Sequence, residues 1–169
     1  DMLLFGMSRD LKCLKVLLIK RNNHPYIDCY ALPGGFVNIT ESAYTAACRE
    51  LEEETGLKDI YMEQLYTMSQ PDRDPRMRVI DIAYMTLIPI DGIKPQAGDD
   101  ASEALWFDIT FNDEILTFAN KEKNITIKLV SIKAYNIHHL ISRITFQILS
   151  CVFRFSPRRI CIEYIINTI

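Results

Sequence analysis

The sequence predicts a mixed α/β domain, and three observations carry that reading. Short apolar runs bounded by polar or turn residues recur through residues 2–107. A single segment of helical period, 42–55, stands among them. Pro33-Gly34-Gly35 interrupts regular structure just ahead of it. The chain has 169 residues, 49% of them hydrophobic, which suffices for one sizeable core.

A first strand is expected at 2–5. Residues 13–20, CLKVLLIK, form a stronger one, because Val16, Leu17, Leu18 and Ile19 make a continuous apolar run that stops at the turn-like Arg21-Asn22-Asn23. Residues 26–31 extend toward another short strand. Segment 42–55 follows as a helix. Ser42 is placed to be its N-cap, with Thr40 as the alternative, and Gly56 to take the positive φ of the residue after the helix. Ala43, Ala46 and Ala47 suit a helix interior and allow close approach to a sheet. Ala43, Ala47, Leu51 and Glu54 repeat at helical spacing, so this face begins apolar and ends acidic. Residues 60–68 alternate in part, and 79–90 is a long apolar run expected to be a central strand. Between them lies the polar stretch SQPDRDPRMR, 69–78. Asp91-Gly92 signals a turn, 96–103 reads as an exposed loop, and Trp106 and Phe107 read as core or sheet-edge packing.

The formal charge of -3 conceals a division. Residues 1–120 carry 11 Lys or Arg against 20 Asp or Glu, a net -9, whereas residues 121–169 carry 8 against 2, a net +6. The acidic part is unlike a nucleic-acid platform. The last 49 residues have no glycine, one proline and twelve isoleucines. Ala134, Ile137, Leu140, Ile141, Ile144 and Ile148 sit on helical spacing, so a helix is expected over 131–149, with a helix or a strand after Ser156-Pro157. The expected organisation is therefore a main domain over 1–125 and a basic, isoleucine-rich, mainly helical extension over 126–169. That extension suits packing over the main domain, a homodimer contact, or contact of Arg154, Arg158 and Arg159 with DNA phosphates.

Cysteines at 13, 29, 48, 151 and 161 form no CxxC pair, which favours a reducing compartment and core or half-buried thiols over a disulfide framework. The start, DMLLFGMSRD, reads as too short and too acidic for a secretory signal. No stretch reaches the roughly 18 apolar residues of a membrane helix; the best candidate, 144–155, is interrupted by Gln147 and Arg154. A cytoplasmic protein with no membrane partner is expected. His24 falls in a turn, and His138 and His139 point apart on a helix, so no histidine metal cluster is expected.

Glu50, Glu53 and Glu54 occupy i, i+3 and i+4 of the expected helix, which puts three carboxylates on one face. Their mutual repulsion gives folding nothing in return. It makes sense if a hard divalent cation such as Mg²⁺ sits among them, since that ion takes carboxylate, water and phosphate oxygens. An acidic solvated surface is the plain alternative for LEEE by itself. What separates the two is the company of Pro33-Gly34-Gly35, Glu41 and Arg49. The glycines allow close backbone approach, and the planar fork of Arg49 can hold Glu41 or one of the helix carboxylates.

Segment 35–57, GFVNITESAYTAACRELEEETGL, resembles the Nudix box. That pattern is Gly, five residues, Glu, seven residues, Arg-Glu, an aliphatic residue, any residue, Glu-Glu, any residue, Gly and an aliphatic residue. Gly35, Glu41, Arg49, Glu50, Leu51, Glu53, Glu54, Gly56 and Leu57 fill every specified place. The resemblance implies the Nudix fold, a mixed β-sheet sandwiched between helices. It also implies hydrolysis of a nucleoside diphosphate linked to another moiety, with Mg²⁺ or Mn²⁺ and an attacking water. Under it Glu50, Glu53 and Glu54 bind metal, Arg49 and Glu41 hold those glutamates in place, and the backbone carbonyl of Gly34 reaches a metal. The base is then a box glutamate or a later carboxylate, with Glu103, Asp99 and Asp100 as the later candidates.

The flanking stretches VLLIKRNNHPYIDCYALPGGFV and LYTMSQPDRDPRMRVIDIAYMTLIP resemble the ADP-ribose pyrophosphatase branch of that family, so the similarity spans residues 2–110. That branch also takes in the Nudix-like half of bacterial regulators of NAD metabolism and domains attached to nicotinamide-nucleotide adenylyltransferases. A nucleotide sugar is thereby favoured over an oxidised nucleoside triphosphate, with ADP-ribose cleaved to AMP and ribose 5-phosphate. Arg73, Arg76 and Arg78 are candidate phosphate contacts, Arg76 foremost, unless Asp72 and Asp74 pair with them and only shape the loop. Tyr26, Tyr30 and Phe36 are candidates for stacking on adenine, against a packing role for each. The alternative function is an ADP-ribose-sensing, DNA-binding transcriptional regulator with a Nudix-like ligand domain.

Overall fold

The computed structural model describes residues 1–129 except Pro25, Pro75, Gly92, Asp99, Asp100, Asp113 and Glu114, with the side chains of Phe111 and Leu129 set aside. It divides into two units, Asp1–Phe107 and Asp108–Ile169. The helix expected at 131–149, the segment beyond Ser156-Pro157, His138, His139, Cys151 and Cys161 lie outside the described residues. So do the homodimer and DNA contacts expected of residues 126–169, apart from those up to 129.

The first unit is a mixed sheet with a helix packed on one face. Its elements are β1 (Met2–Met7), β2 (Leu14–Arg21), β3 (Tyr30–Ala31), α1 (Ala43–Thr55), β4 (Glu63–Met68), β5 (Asp81–Pro89) and the first part of β6 (Ala101–Asn112). The strand order is β4-β5-β1-β2-β6, with β3 paired to β2. β1 runs antiparallel to β2, with Phe5 opposite Val16, and parallel to β5, with Met2 opposite Tyr84 and Met7 opposite Pro89. A parallel pair requires a long crossover, and the chain between β1 and β5 contains α1. β4 returns antiparallel to β5, with a register shift between Gln64 and Tyr66.

The apolar run of β2 is continuous because the strand is buried on both faces. Leu17 and Ile19 join Met2, Leu4, Ala47, Leu51, Met62, Tyr84, Ala101 and Ala104 in the core beneath α1. Val16 and Leu18, which alternate with them, are also buried, as are Phe5, Met85 and Phe107. Tyr30 packs edge-on to Phe107 with ring centroids 5.1 Å apart, which gives Tyr30 its packing role.

Two expectations are corrected. The segment 96–103 is not a loop throughout: β6 begins at Ala101, which is buried against the α1 core, because the short side chains of Ala101 and Ala104 let the strand approach. Cys13 and Cys29 are exposed rather than core thiols, since both fall in turns flanking β2; Cys48, on α1, is half-buried.

The second unit, in its described part, is a meander of the end of β6, β7 (Ile115–Asn120) and β8 (Ile125–Leu129). Asp108 lies opposite Ala119, and Asn120 opposite Ile125. The Asn120 side chain accepts from the Lys123 N–H (2.9 Å), and Asn124 takes φ 55 in the tight turn between β7 and β8. The expected boundary between 125 and 126 falls within β8.

Candidate active site

The helix is capped as its sequence dictates. Ser42 Oγ accepts from the Thr45 N–H (3.1 Å). Gly56 stops the helix at φ 71, with its N–H donating to the Glu52 carbonyl (2.8 Å). Ala47 and Leu51 turn toward the sheet, and that choice of face brings Glu50 and Glu54 to Gly35 and Gly34 of the segment that precedes the helix.

Arg49 organises the carboxylates. Its Nε and Nη2 donate to Glu41 Oε2 (3.2 Å) and Oε1 (2.8 Å), a fork-to-carboxylate pair. Its Nη1 donates to both Glu50 Oε1 (2.7 Å) and Glu53 Oε2 (2.9 Å), and Nη2 also reaches the Phe36 carbonyl (3.2 Å). Glu41 is fixed from its other side by the Asn38 backbone and side-chain amides. The hydrogen bonds from Arg49, then that of the Asn38 backbone, pull the Glu41 pKa down to about 2. The same carboxylates, Glu41 first, raise that of Arg49.

Glycine makes room on the facing side. A Cβ on Gly35 would collide with the carboxylate of Glu50. The Gly34 N–H donates to Glu54 Oε2 (2.7 Å), and Glu54 is buried. The far end of α1 is held by the loop after β5: the Gln96 N–H donates to the Thr55 carbonyl (2.9 Å), and Gly98 packs directly on the Glu53 backbone.

Strand directions gather the remaining candidates. The end of the sheet where β1 and β5 begin is where β2 and β4 finish. The turn carrying Tyr26, the loop carrying Arg73, Arg76 and Arg78, and Gly34 all lie there, the last through the Met2 N–H bond to the Pro33 carbonyl (2.8 Å). Arg76 grips Asp74 through Nε (2.9 Å) and Nη2 (2.6 Å). Arg73 lies 3.5 Å from the buried Asp81. Arg78 donates to the Ser69 carbonyl (2.6 Å). Tyr26 and Phe36 are exposed, as are Val37, Ile39 and Tyr61. His24 is exposed in its turn.

The structure thus brings Arg49, Glu41, Glu50 and Glu53 into one cluster, with Glu54 bonded to Gly34. It does not bring Glu103 there. Glu103 acts electrostatically on Lys20 and Tyr30, a cross-strand pair whose neighbours Ile19 and Ala31 occupy the alternate face positions. Asp99 and Asp100 lie outside the described residues. Asp81, which the sequence did not single out, is buried at the start of β5 with Arg73 3.5 Å away.

Three carboxylates on one guanidinium, with Glu54 held by Gly34, leave an excess of negative charge, and carboxylate oxygens are the donors a hard divalent cation takes. Among the described residues, however, no three His, Cys, Asp or Glu side chains are gathered closely enough to hold an ion. Glu50 and Glu53 both accept from Nη1 of Arg49. The donor set fits Mg²⁺ or Mn²⁺ in chemistry and charge. Among the described residues, no helix is long and apolar enough to cross a membrane.

The NUDIX domain model matches residues 3–128. An ADP-ribose pyrophosphatase of Methanocaldococcus jannaschii is 48% identical over 95 residues, 56% of this chain and 55% of its own length. A MutT/nudix family protein from Enterococcus faecalis superposes with a TM-score of 0.71 at 39% identity, over 79% of this chain and 51% of that one. The NUDIX domain of Shewanella oneidensis NrtR, in complex with ADP ribose, does so with a TM-score of 0.57 at 32% identity, over 64% of this chain and 70% of that one. The chain spans about half the length of the first two of these relatives.

Proposed function

Since this chain belongs to the Nudix family, we propose that it hydrolyses the pyrophosphate bond of a nucleoside diphosphate derivative, with ADP-ribose as substrate and AMP and ribose 5-phosphate as products. The carrying observation is the one-face cluster of Glu50, Glu53 and Glu54, organised by Arg49 and faced by Gly34 and Gly35. The choice of ADP-ribose is supported by the pyrophosphatase relative and by the ADP ribose in the related NUDIX domain.

Glu50, Glu53 and Glu54, with the Gly34 carbonyl, would hold Mg²⁺ or Mn²⁺. Bound there, the cation supplies charge neutralisation for the pyrophosphate and activates water. Arg49 and Glu41 keep the glutamates within reach of one another. Arg76 and Arg73 present guanidinium groups to phosphate oxygens from the neighbouring loop, and Tyr26 and Phe36 offer exposed rings to adenine. Water adds to one phosphorus, the bond from that phosphorus to the bridging oxygen breaks, and each product leaves with a phosphate. Glu53 takes the water's proton in this reading, which is supported by its being the most exposed carboxylate of the cluster, with 57% of its side chain accessible.

The test is product analysis after incubation with ADP-ribose, NADH, other nucleotide sugars and 8-oxo-dGTP, with and without Mg²⁺. AMP and ribose 5-phosphate formed from ADP-ribose only when metal is present is the expected result. No turnover across the panel, together with effector-dependent binding of a defined duplex, would overturn it in favour of a regulator.

A further inference from the structure

The loop between β4 and β5 contains a row of alternating charge that the proposed reaction leaves unexplained. Asp74 is bound three times by Arg76: Oδ1 accepts from the backbone N–H (2.9 Å) and from Nε (2.9 Å), and Oδ2 accepts from Nη2 (2.6 Å). The side chain of Asp74 is only 11% accessible, whereas that of Arg76 is 42% accessible. Among the described residues, Nη1 of Arg76 has no hydrogen-bond partner. Arg73 also acts on Asp74 electrostatically and stands 3.5 Å from the buried carboxylate of Asp81. Across from the loop, Tyr26 lies within electrostatic range of Arg76. It is exposed and has a left-handed backbone at φ 70, uncommon for a bulky residue and typical of a constrained functional turn.

We propose that Asp74 is a positioning residue that holds Arg76 with its free Nη1 edge presented to the diphosphate of the nucleotide substrate. This rests on the reading of the site as a nucleoside-diphosphate hydrolase. Pairing through Nε and Nη2 uses one edge of the guanidinium and leaves the Nη1 edge directed away from the carboxylate. Two effects of Asp74 oppose each other. Its negative charge repels the phosphates, but the Arg76 guanidinium bonded to both of its oxygens offsets that charge. Its three bonds immobilise a long, rotamer-rich side chain before substrate arrives, so that cost no longer falls on binding. The second effect dominates, and removing the carboxylate weakens binding instead of strengthening it.

The experiment compares the full chain with Asp74→Asn, Arg76→Lys and the double variant. It measures kcat and KM for ADP-ribose with Mg²⁺, thermal midpoints, and calorimetric binding of ADP without metal. Each single change is expected to raise KM by ~10-fold with kcat within about twofold, and the double variant to be no worse than either single one, since both break one unit. Arg76→Lys keeps the charge and loses the fork, so it carries the test if Asp74→Asn fails to fold. An unchanged KM and ADP affinity in Asp74→Asn, or additive losses in the double variant, would overturn the proposal. If the parent chain binds ADP but does not turn over ADP-ribose, the proposed activity fails while ADP affinity still decides the role of Asp74. If it does neither, both fail.

Discussion

Gly35 leaves no space for a single methyl group before the carboxylate of Glu50. The obstruction would be the end of a flexible side chain, so the fold can absorb it and the site cannot. Gly35→Ala is expected to lower kcat/KM by ~10-fold or more while shifting Tm by no more than about 2 °C. Steady-state kinetics beside a thermal melt checks this; full activity would show that the placement of Glu50 is not critical.

Gly98 presents the opposite case. A Cβ there would strike the backbone carbonyl of Glu53, which cannot rotate away. Gly98→Ala is therefore expected to destabilise the chain by about 1–3 kcal/mol, as overpacking against backbone does. Chemical denaturation measures it directly.

How far the sequence foretold these relations differs by element. The helix and both its caps were legible, because Ser42 and Gly56 mark chemical limits on where a helix starts and stops. The carboxylate face followed from spacing alone. The β6 start and the β7 and β8 hairpin were not legible: Ala101 and Ala104 lack strand character and join a strand through packing, and the alternation in 115–129 is short on either side of its turn. Nor could spacing tell that Arg49 would draw Glu50 and Glu53 to one nitrogen, since side-chain rotamers settle that. Pairing within the loop, Arg76 with Asp74 and Arg73 with Asp81, was open in sequence because several aspartates compete for each arginine.

The Glu41 carboxyl, held at about 2 against its usual 4.5 by Arg49 and Asn38, links stability to pH. A depressed carboxylate contributes stability that is complete above the unfolded value and is lost as pH falls through the folded one, because the unfolded chain takes up the proton first. Stability is therefore expected to decline from pH 4.5 toward pH 2. Glu41→Gln should show a shallower decline across that window and lower stability at neutral pH. Denaturation midpoints across pH test this, and an identical slope in the variant would contradict it.

Leu51 is 1% accessible in the core beneath α1 and sits between Glu50 and Glu53 in sequence. Leu51→Ala is expected to cost about 2–5 kcal/mol through lost burial and the cavity left behind. Urea unfolding provides the measure, and a loss below about 1 kcal/mol would mean that α1 is not anchored there.

The most direct test of the glutamate face as the seat of pyrophosphate cleavage is the rate of AMP formation from ADP-ribose with saturating Mg²⁺, for the native chain and for Glu53→Gln. That change removes one negative charge at nearly constant volume. The expected outcome is Mg²⁺-dependent turnover by the native chain and a fall of ~100-fold or more in the variant, with its Tm preserved. Full Mg²⁺-dependent turnover by Glu53→Gln would contradict the role assigned to this face.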